Sequence, residues 1–484
     1  MKKIKIIALS AIAIMATCSL ASCGENKKGS DDLYICVYDG GYGTSWINTL
    51  AQKYEEETGI HVEATADSSI LDRLENQLKN GPDYDIYMSH GINYQNFAAS
   101  GYLANLDDLY EEEVTGTSKQ FKDRLVSGSL ENSLTEGEDG QSHYYKVNYT
   151  QGAGGFVYNV DMFETNGWTV PTTYQELLTL AKKIVDDKVA VVNGDRGETI
   201  VPFAWSGKDR QYYWDYPVFE WWYELAGETK MNKYLEYKGD DGKYLTGYET
   251  YNPATNNKEF MEAYQMWYDL IAVNPSYSNA NAYGGNLVTA QAAFANQKAA
   301  MIPYAQWAQY EIKNAVKKTD LGFDFKMMKT PKAKANSTYN YNYLVGFGDS
   351  MIVPEKSANQ EKAKDFLKYM ATYDACKTFV KEAEGAFLAF DYSDVDITDL
   401  RTSDPYTASV YDILTTCKNF NLTSKNPITY WNVDTIIPWI NNKYYYASAC
   451  SDNVNNTKEI VGAQIYEAAK QGWSTWCRNA GLKD

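Results

Sequence analysis

The chain has 484 residues, 44% of them hydrophobic, which is enough to fill two or three domain-sized cores and excludes a chain disordered throughout. Its net charge of −18 excludes an electrostatic grip on nucleic acid, because phosphate backbones are held by clusters of Lys and Arg. The unusual number is 42 tyrosines: a ring with an apolar face and a polar rim suits a ligand with both C–H faces and hydroxyls, such as a sugar.

Residues 1–22 read as a lipoprotein signal peptide. Lys2, Lys3 and Lys5 make a positive start, and the apolar run 6–16 is too short to span a bilayer as a mature helix. Leu20-Ala21-Ser22-Cys23 then looks like a bacterial lipobox, which would make Cys23 the acylated mature N-terminus. Residues 23–32 are polar and read as a flexible tether. Such a protein would sit on the extracellular face of the bacterial cell membrane, held by lipid. The later cysteines, Cys36, Cys376, Cys417, Cys450 and Cys477, show neither CxxC nor metal-ligand spacing. Cys36 reads as a core residue, and Cys450 with Cys477 as a pair that an oxidising exterior would allow to bridge. His61, His90 and His143 are scattered, so no metal and no cofactor is expected.

From residue 33 the pattern alternates strand and helix. The spacing predicts a strand over 33–38, then a glycine-rich loop with Asp39 and Tyr42. A helix follows with Trp46, Ile47, Leu50 and Tyr54 on one face, ending at Gly59. A second strand over 60–64 leads to Asp67. A helix with Leu74 and Leu78 stops at Gly81-Pro82, and a third strand over 84–88 leads to His90 and Tyr94. This alternation predicts a parallel sheet covered by helices, with ligands met at the carboxyl ends of the strands. The glycines at 40, 41 and 43 fit neither the dinucleotide fingerprint nor the P-loop.

Residues 144–159, YYKVNYTQGAGGFVYN, place a soft glycine-rich centre between two strand-like runs. They read either as a hairpin turn or as a passage between lobes with a ligand lying between them. Thr172 with Gln175, or Thr173 with Glu176, forms a capping box. In the aromatic stretch 201–226, Trp221, Trp222 and Leu225 are expected in the core. Trp205, Trp214 and Tyr216 lie among polar residues and are expected to expose their rings. Residues 239–257 read as a surface insertion, followed by a helix over 258–272. Strands are expected over 323–328 and 346–353, then a helix capped by Ser357 with Gln360.

Four segments together resemble the extracellular solute-binding proteins of ABC importers, the family that includes the maltodextrin-binding proteins. They are PDYDIYMSHGINYQNFAASGYLANLDDL at 82–109, GFVYNVDMFETNGWTVPTTYQELLTLAKKI at 155–184, residues 294–307 with their Ala-Ala-Met and Trp307, and residues 346–383. Gln297 departs from the pattern, standing where the family commonly has glycine. The resemblance implies an α/β fold of two lobes, periplasmic-binding-protein-like, each lobe a sheet flanked by helices, joined by a multi-segment hinge. The first lobe would take residues 33–150 and 302–353, and the second 151–301 and 354–484. The chain would return to the first lobe near Met301 to Tyr304.

By position, the resemblance puts the family's cleft residues on Asp39, Tyr42, Asp67, His90, Tyr94, Gln151, Trp214, Asp215, Tyr304, Trp307 and Asp349, with Trp431 a further addition. Stacked rings would cover sugar faces while carboxylates and amides take hydroxyls. The implied function is capture of a carbohydrate, an oligosaccharide for choice, and delivery to membrane permease subunits by a monomeric, lipid-anchored receptor that is not an enzyme. Two rivals are a secreted carbohydrate-active enzyme, which needs a spaced carboxylate pair, and a receptor for a non-sugar solute such as a polyamine.

Overall fold

A computed structural model of the protein describes residues 32–209, 211–235, 247–344, 349–420 and 455–479. Cys23, Trp431 and Cys450 lie outside these residues, as does the side chain of Cys477.

Strand β1 (Leu33–Val37) is apolar and nearly all buried, as a strand covered on both faces must be. Helix α1 (Ser45–Thr58) buries Trp46, Ile47, Leu50 and Tyr54, and Gly59 ends it with φ 74°. Strand β2 (Val62–Ala66), helix α2 (Leu71–Asn80) and strand β3 (Ile86–His90) repeat the unit. Strand β4 (Val147–Asn148) precedes strand β5 (Gly154–Asn159). Helix α3 (Tyr174–Asp187) starts at a capping box in which Thr173 accepts from the Glu176 N–H and the Glu176 carboxylate takes the Thr173 N–H. There follow strand β6 (Val201–Phe203), helix α4 (Gln211–Ala226), strand β7 (Ala299–Ala305), helix α5 (Ala308–Ala315), strand β8 (Phe325–Met328) and strand β9 (Asp349–Ile352). Helices α6 (Gln360–Tyr369), α7 (Tyr373–Glu382), α8 (Pro405–Thr416) and α9 (Lys458–Asn479) complete the chain.

The strands form two principal sheets. The first has the order β2-β1-β3-β9-β4: β1 runs parallel to β2 and β3, and β9 is antiparallel to both β3 and β4. The second has the order β6-β7-β5-β8, with β5 antiparallel to its two neighbours. Between β4 and β5 the chain passes from one sheet to the other through Thr150 to Ala153. The glycine-rich stretch is therefore a crossing and not a hairpin turn. Gly155 is required where it stands, because a Cβ there would lie 2.4 Å from the carbonyl oxygen of Met328 on β8. A further crossing runs beside the first: Thr150 bridges Leu388, Ala389 N–H donates to Tyr149 O at 3.0 Å, and Gln151 N–H donates to Phe387 O at 3.2 Å.

The expected return at Met301 to Tyr304 does not occur. All of β7 stays in the second sheet, paired from Met301↔Tyr158 to Ala305↔Gly154, and β8 stays with it. The first sheet regains the chain only at β9. Residues after 354 also divide between the lobes. Helices α6 and α7 pack on the first lobe, where Lys364 pairs with Asp108 at 2.7 Å, Tyr54 donates to Asp365 at 2.8 Å and Lys53 pairs with Asp374 at 2.7 Å. Helix α8 covers β8 instead, with Ser409 accepting the Met327 N–H at 2.9 Å.

Two local expectations change as well. The cap of α6 is Asn359, while Ser357 donates its hydroxyl to Asp85 at 2.7 Å. The end of the expected insertion is only partly at the surface: Ala254 and Thr255 are exposed, but Thr250, Tyr251 and Asn257 are buried, and Tyr466 of α9 donates to Glu249 at 2.7 Å. Cys36 is buried in the core of the first lobe, as expected.

Candidate functional site

In a parallel sheet every strand presents its carboxyl end at the same edge. The register Val37↔Ala66 and Val37↔Met88 therefore brings Asp39, Asp67 and His90 to one edge of the first sheet. Strand β9 enters there from the opposite direction, so that Asp349 pairs with His90. The second sheet meets this edge where β5 begins and β7 ends, at Gly154↔Ala305, and Gln306 N–H donates to Ala153 O at 2.8 Å. Trp307 follows at once, leading into α5. The junction between the lobes thus carries loops of one sheet and the start of a helix of the other.

Aromatic rings fill that junction. Tyr42 meets Trp307 edge-on at 5.8 Å between centroids and Tyr149 at 6.2 Å, and Trp307 meets Tyr216 at 6.3 Å. Trp307 is half-buried. The Gly40–Gly43 turn lies close to it: a Cβ on Gly41 would stand 2.9 Å from both the Trp307 ring and Glu311 Oε1. The first-lobe loop and helix α5 of the second lobe are therefore in direct apposition.

Two partly buried carboxyl residues flank the rings. Asp349 accepts from Tyr42 Oη at 3.4 Å and from Thr150 Oγ1, and burial pushes its carboxyl above the ordinary range. Glu311 accepts from Tyr304 Oη, and from Gln291 Nε2 at 3.0 Å. Burial raises Glu311 to about 7, against the pull of those two hydrogen bonds. Both bonds fall on Oε2, which leaves Oε1 on the side of Gly41. The arrangement offers ring faces together with carboxyl oxygens, which suits a polyhydroxylated ligand: burying a hydroxyl without a partner is costly, and each carboxylate oxygen can accept.

The expected site residues separate into two groups. Tyr42, Trp307 and Asp349 come together, with Asp39, Asp67 and His90 along the same edge. Asp39 and His90 are exposed, the His90 ring meeting Tyr38 at 4.4 Å, and Asp67 is paired with Arg73. Tyr304 lies behind the rings as a partner of Glu311.

The others are occupied elsewhere. The Gln151 amide, expected on the cleft floor, donates to Leu388 O at 2.8 Å and Phe390 O at 3.0 Å, holding the neighbouring crossing. Trp214 is fully buried between Phe219 and Phe260, and Trp205 is fully buried beside Trp267, so neither exposes a ring. Tyr216 is also buried, though it touches Trp307. Asp215 is half-buried on α4. Tyr94 is inside the first lobe, donating to Asn132 O at 3.0 Å beneath the Lys146 ammonium. Glu311 and Thr150 were not anticipated. Glu311 stands one helical turn after Trp307, a spacing that puts the two on the same face and could have marked it.

Among the described residues no group of His, Cys, Asp and Glu is placed to hold a metal ion, and no helix is long and apolar enough to cross a membrane.

A family model described as bacterial extracellular solute-binding protein matches residues 40–375. The multiple sugar-binding protein of Streptococcus mutans is 24% identical over 388 residues, covering 78% of this chain and 81% of that protein. The diacetylchitobiose binding protein NgcE of Streptomyces coelicolor is 24% identical over 358 residues, covering 71% and 67%. Among solved structures, the ligand-free form of RafE from Streptococcus pneumoniae superposes with a TM-score of 0.64 at 17% identity, over 92% of this chain and 99% of the other. The GacH receptor of Streptomyces glaucescens, also solved with acarbose, gives a TM-score of 0.63 at 16% identity over 92% and 99%. At these identities the structural likeness establishes the two-lobed fold.

Proposed function

The chain belongs to the bacterial extracellular solute-binding protein family, and from that premise we propose that it captures a carbohydrate between its two lobes. The observation that carries this reading is the ring cluster of Tyr42, Trp307 and Tyr216 at the lobe junction, flanked by Asp349 and Glu311. Asp39, Asp67 and His90 supply polar groups from the first lobe, and Trp307 with Glu311 from the second. A ligand that touches both sets favours the closed arrangement, and it shifts the open–closed balance only by the contacts that closure adds. The relatives named for sugars, diacetylchitobiose and multiple sugars, support an oligosaccharide.

In this reading the closed receptor delivers its ligand to an ABC permease. Acylation at Cys23 keeps the monomer at the outer face of the membrane, where tethering raises the encounter rate. Thermal shift against a panel of mono- and oligosaccharides tests the assignment, since a ligand bound to the native state raises the melting temperature. At least one oligosaccharide is expected to raise it; no shift with any sugar would sink the carbohydrate reading.

A further inference from the structure

Thr150 opens the glycine-rich crossing and is fully buried. The neighbouring crossing holds its backbone on both sides. Thr150 itself bridges Leu388, the Tyr149 carbonyl before it accepts from Ala389 N–H, and the Gln151 N–H after it donates to the Phe387 carbonyl. Threonine is branched at Cβ, which restricts its rotamers, so the backbone largely dictates where the hydroxyl points. Here it points at Asp349, the first residue of β9, and donates to Oδ2.

Two side chains among the described residues donate to the Asp349 carboxyl, Thr150 and Tyr42, and both bonds fall on Oδ2. The Tyr42 contact, at 3.4 Å, is long for a bond between two oxygens, so Thr150 is the close partner. Oδ1 takes neither bond. The other titratable groups that interact with this carboxyl are His90 on β3, Lys146 just before β4 and Tyr149 just after it. Burial raises the Asp349 carboxyl, and the Thr150 hydroxyl is the strongest of the opposing pulls, ahead of His90, Tyr42 and Lys146. One hydroxyl, fixed by the crossings, therefore does most to orient this carboxylate and to keep it ionised.

We propose that Thr150 is a positioning residue of the binding site: its hydroxyl fixes the Asp349 carboxyl by Oδ2, so that Oδ1 accepts from a hydroxyl of the ligand. The ligand half of this proposal rests on the carbohydrate reading; the link from Thr150 to Asp349 does not. The carboxyl is thereby oriented by the same segments that join the lobes. A movement of the crossings that shifts Thr150 withdraws the donor from Asp349. A ligand that uses Oδ1 then favours the crossing geometry in which the bond is made, by no more than the contacts which that geometry adds. A hydroxyl that served the fold alone would affect stability and leave affinity and its pH profile where they are.

Two variants of the intact protein test it. Thr150→Val keeps the shape and removes the donor; Thr150→Ser keeps the donor and removes the methyl. Carbon-13 NMR of the ligand-free protein, labelled at aspartate carboxyls, follows Asp349, whose signal is identified by its loss in Asp349→Asn. In Thr150→Val the carboxyl should titrate at higher pH than in wild type, because the charged form has lost a donor. An unmoved titration would overturn the proposal whatever the ligand. Calorimetry then uses the sugar of largest thermal shift from a panel headed by maltotriose and raffinose. Thr150→Val should weaken affinity at neutral pH by about tenfold or more, the loss of a hydrogen bond to a charged group. The fall of affinity towards acid should also begin at higher pH than in wild type, and Thr150→Ser should restore both. Equal affinity in Thr150→Val, or a serine variant as weak as the valine one, would overturn the proposal. A wild type that answers to no sugar would sink the carbohydrate reading, and the carboxyl titration would then decide the role of Thr150 by itself.

Discussion

Replacing Gln306 by Leu isolates what one buried amide does for the lobe junction. Gln306 is fully buried at the end of β7. Its Oε1 accepts the Phe387 N–H at 2.9 Å and its Nε2 donates to the Phe387 carbonyl at 3.1 Å, a reciprocal pair that clips one crossing segment to the second sheet. Leu has similar volume, so little cavity is expected. The Phe387 N–H would lose its partner outright, at about 1–3 kcal/mol for a buried orphan donor. The Phe387 carbonyl keeps the Gln151 N–H at 3.2 Å, so its loss is one net hydrogen bond, about 0.5–1.5 kcal/mol. The sum is a destabilisation of about 1.5–4.5 kcal/mol, since the two terms concern different atoms. Urea unfolding followed by far-ultraviolet circular dichroism measures it as a fall in the midpoint at unchanged slope. A loss below about 0.5 kcal/mol would refute the reasoning, because the crossing would then be held by its backbone bridges alone.

Other perturbations bear on the remaining features. Gly155→Ala drives a Cβ against the Met328 carbonyl, a backbone atom that cannot swing aside, and should cost about 1–3 kcal/mol by the same urea assay; an unchanged midpoint would show that β5 and β8 part freely. Trp307→Ala should weaken affinity for the sugar found by thermal shift by about 1–3 kcal/mol, by analogy with other stacked rings, and calorimetry showing equal affinity would remove it from the site. Glu311 has its value raised from 4.5 to about 7, so the folded protein holds that proton more tightly than the unfolded chain. Its contribution to stability is present below pH 4.5 and is lost as pH rises towards 7. Glu311→Gln should remove that decline, and identical stability–pH slopes for variant and wild type across this window would contradict the burial of the carboxyl.

The first hundred residues were legible because each element announces itself locally. Trp46, Ile47, Leu50 and Tyr54 lie on one face and are buried, and Gly59 takes the left-handed conformation that a helix end requires. The Thr173 and Glu176 box also stands as its spacing implies. Strand partners carry no such local mark. Nothing in the run Ala299 to Ala305 distinguishes pairing with β5 from pairing with β3, and the chain was expected in the wrong lobe there. Trp214 was misplaced for a related reason. Ser206, Gly207, Asp209 and Asp215 make its surroundings look like a loop, but α4 takes in Trp214 and Asp215, continues through Pro217 and carries Trp214 into the core. Of the site, the sheet-edge residues follow from the alternation of strand and helix, whereas Glu311 and Thr150 act through tertiary neighbours distant in sequence.

The position of β9 has a consequence for synthesis and export. The first sheet is closed between β3 and β4 by a strand that lies some two hundred residues downstream of β4, and its helical cover includes α6 and α7, later still. A ribosome that has released β1 to β4 has therefore released an incomplete sheet with an open edge at β3. The domain cannot lock until most of the polypeptide has emerged, and pairings so far apart in sequence are slow to form. Any polypeptide that must be drawn across a membrane gains from such a delay, since the part that emerges first stays loose until its fold is sealed.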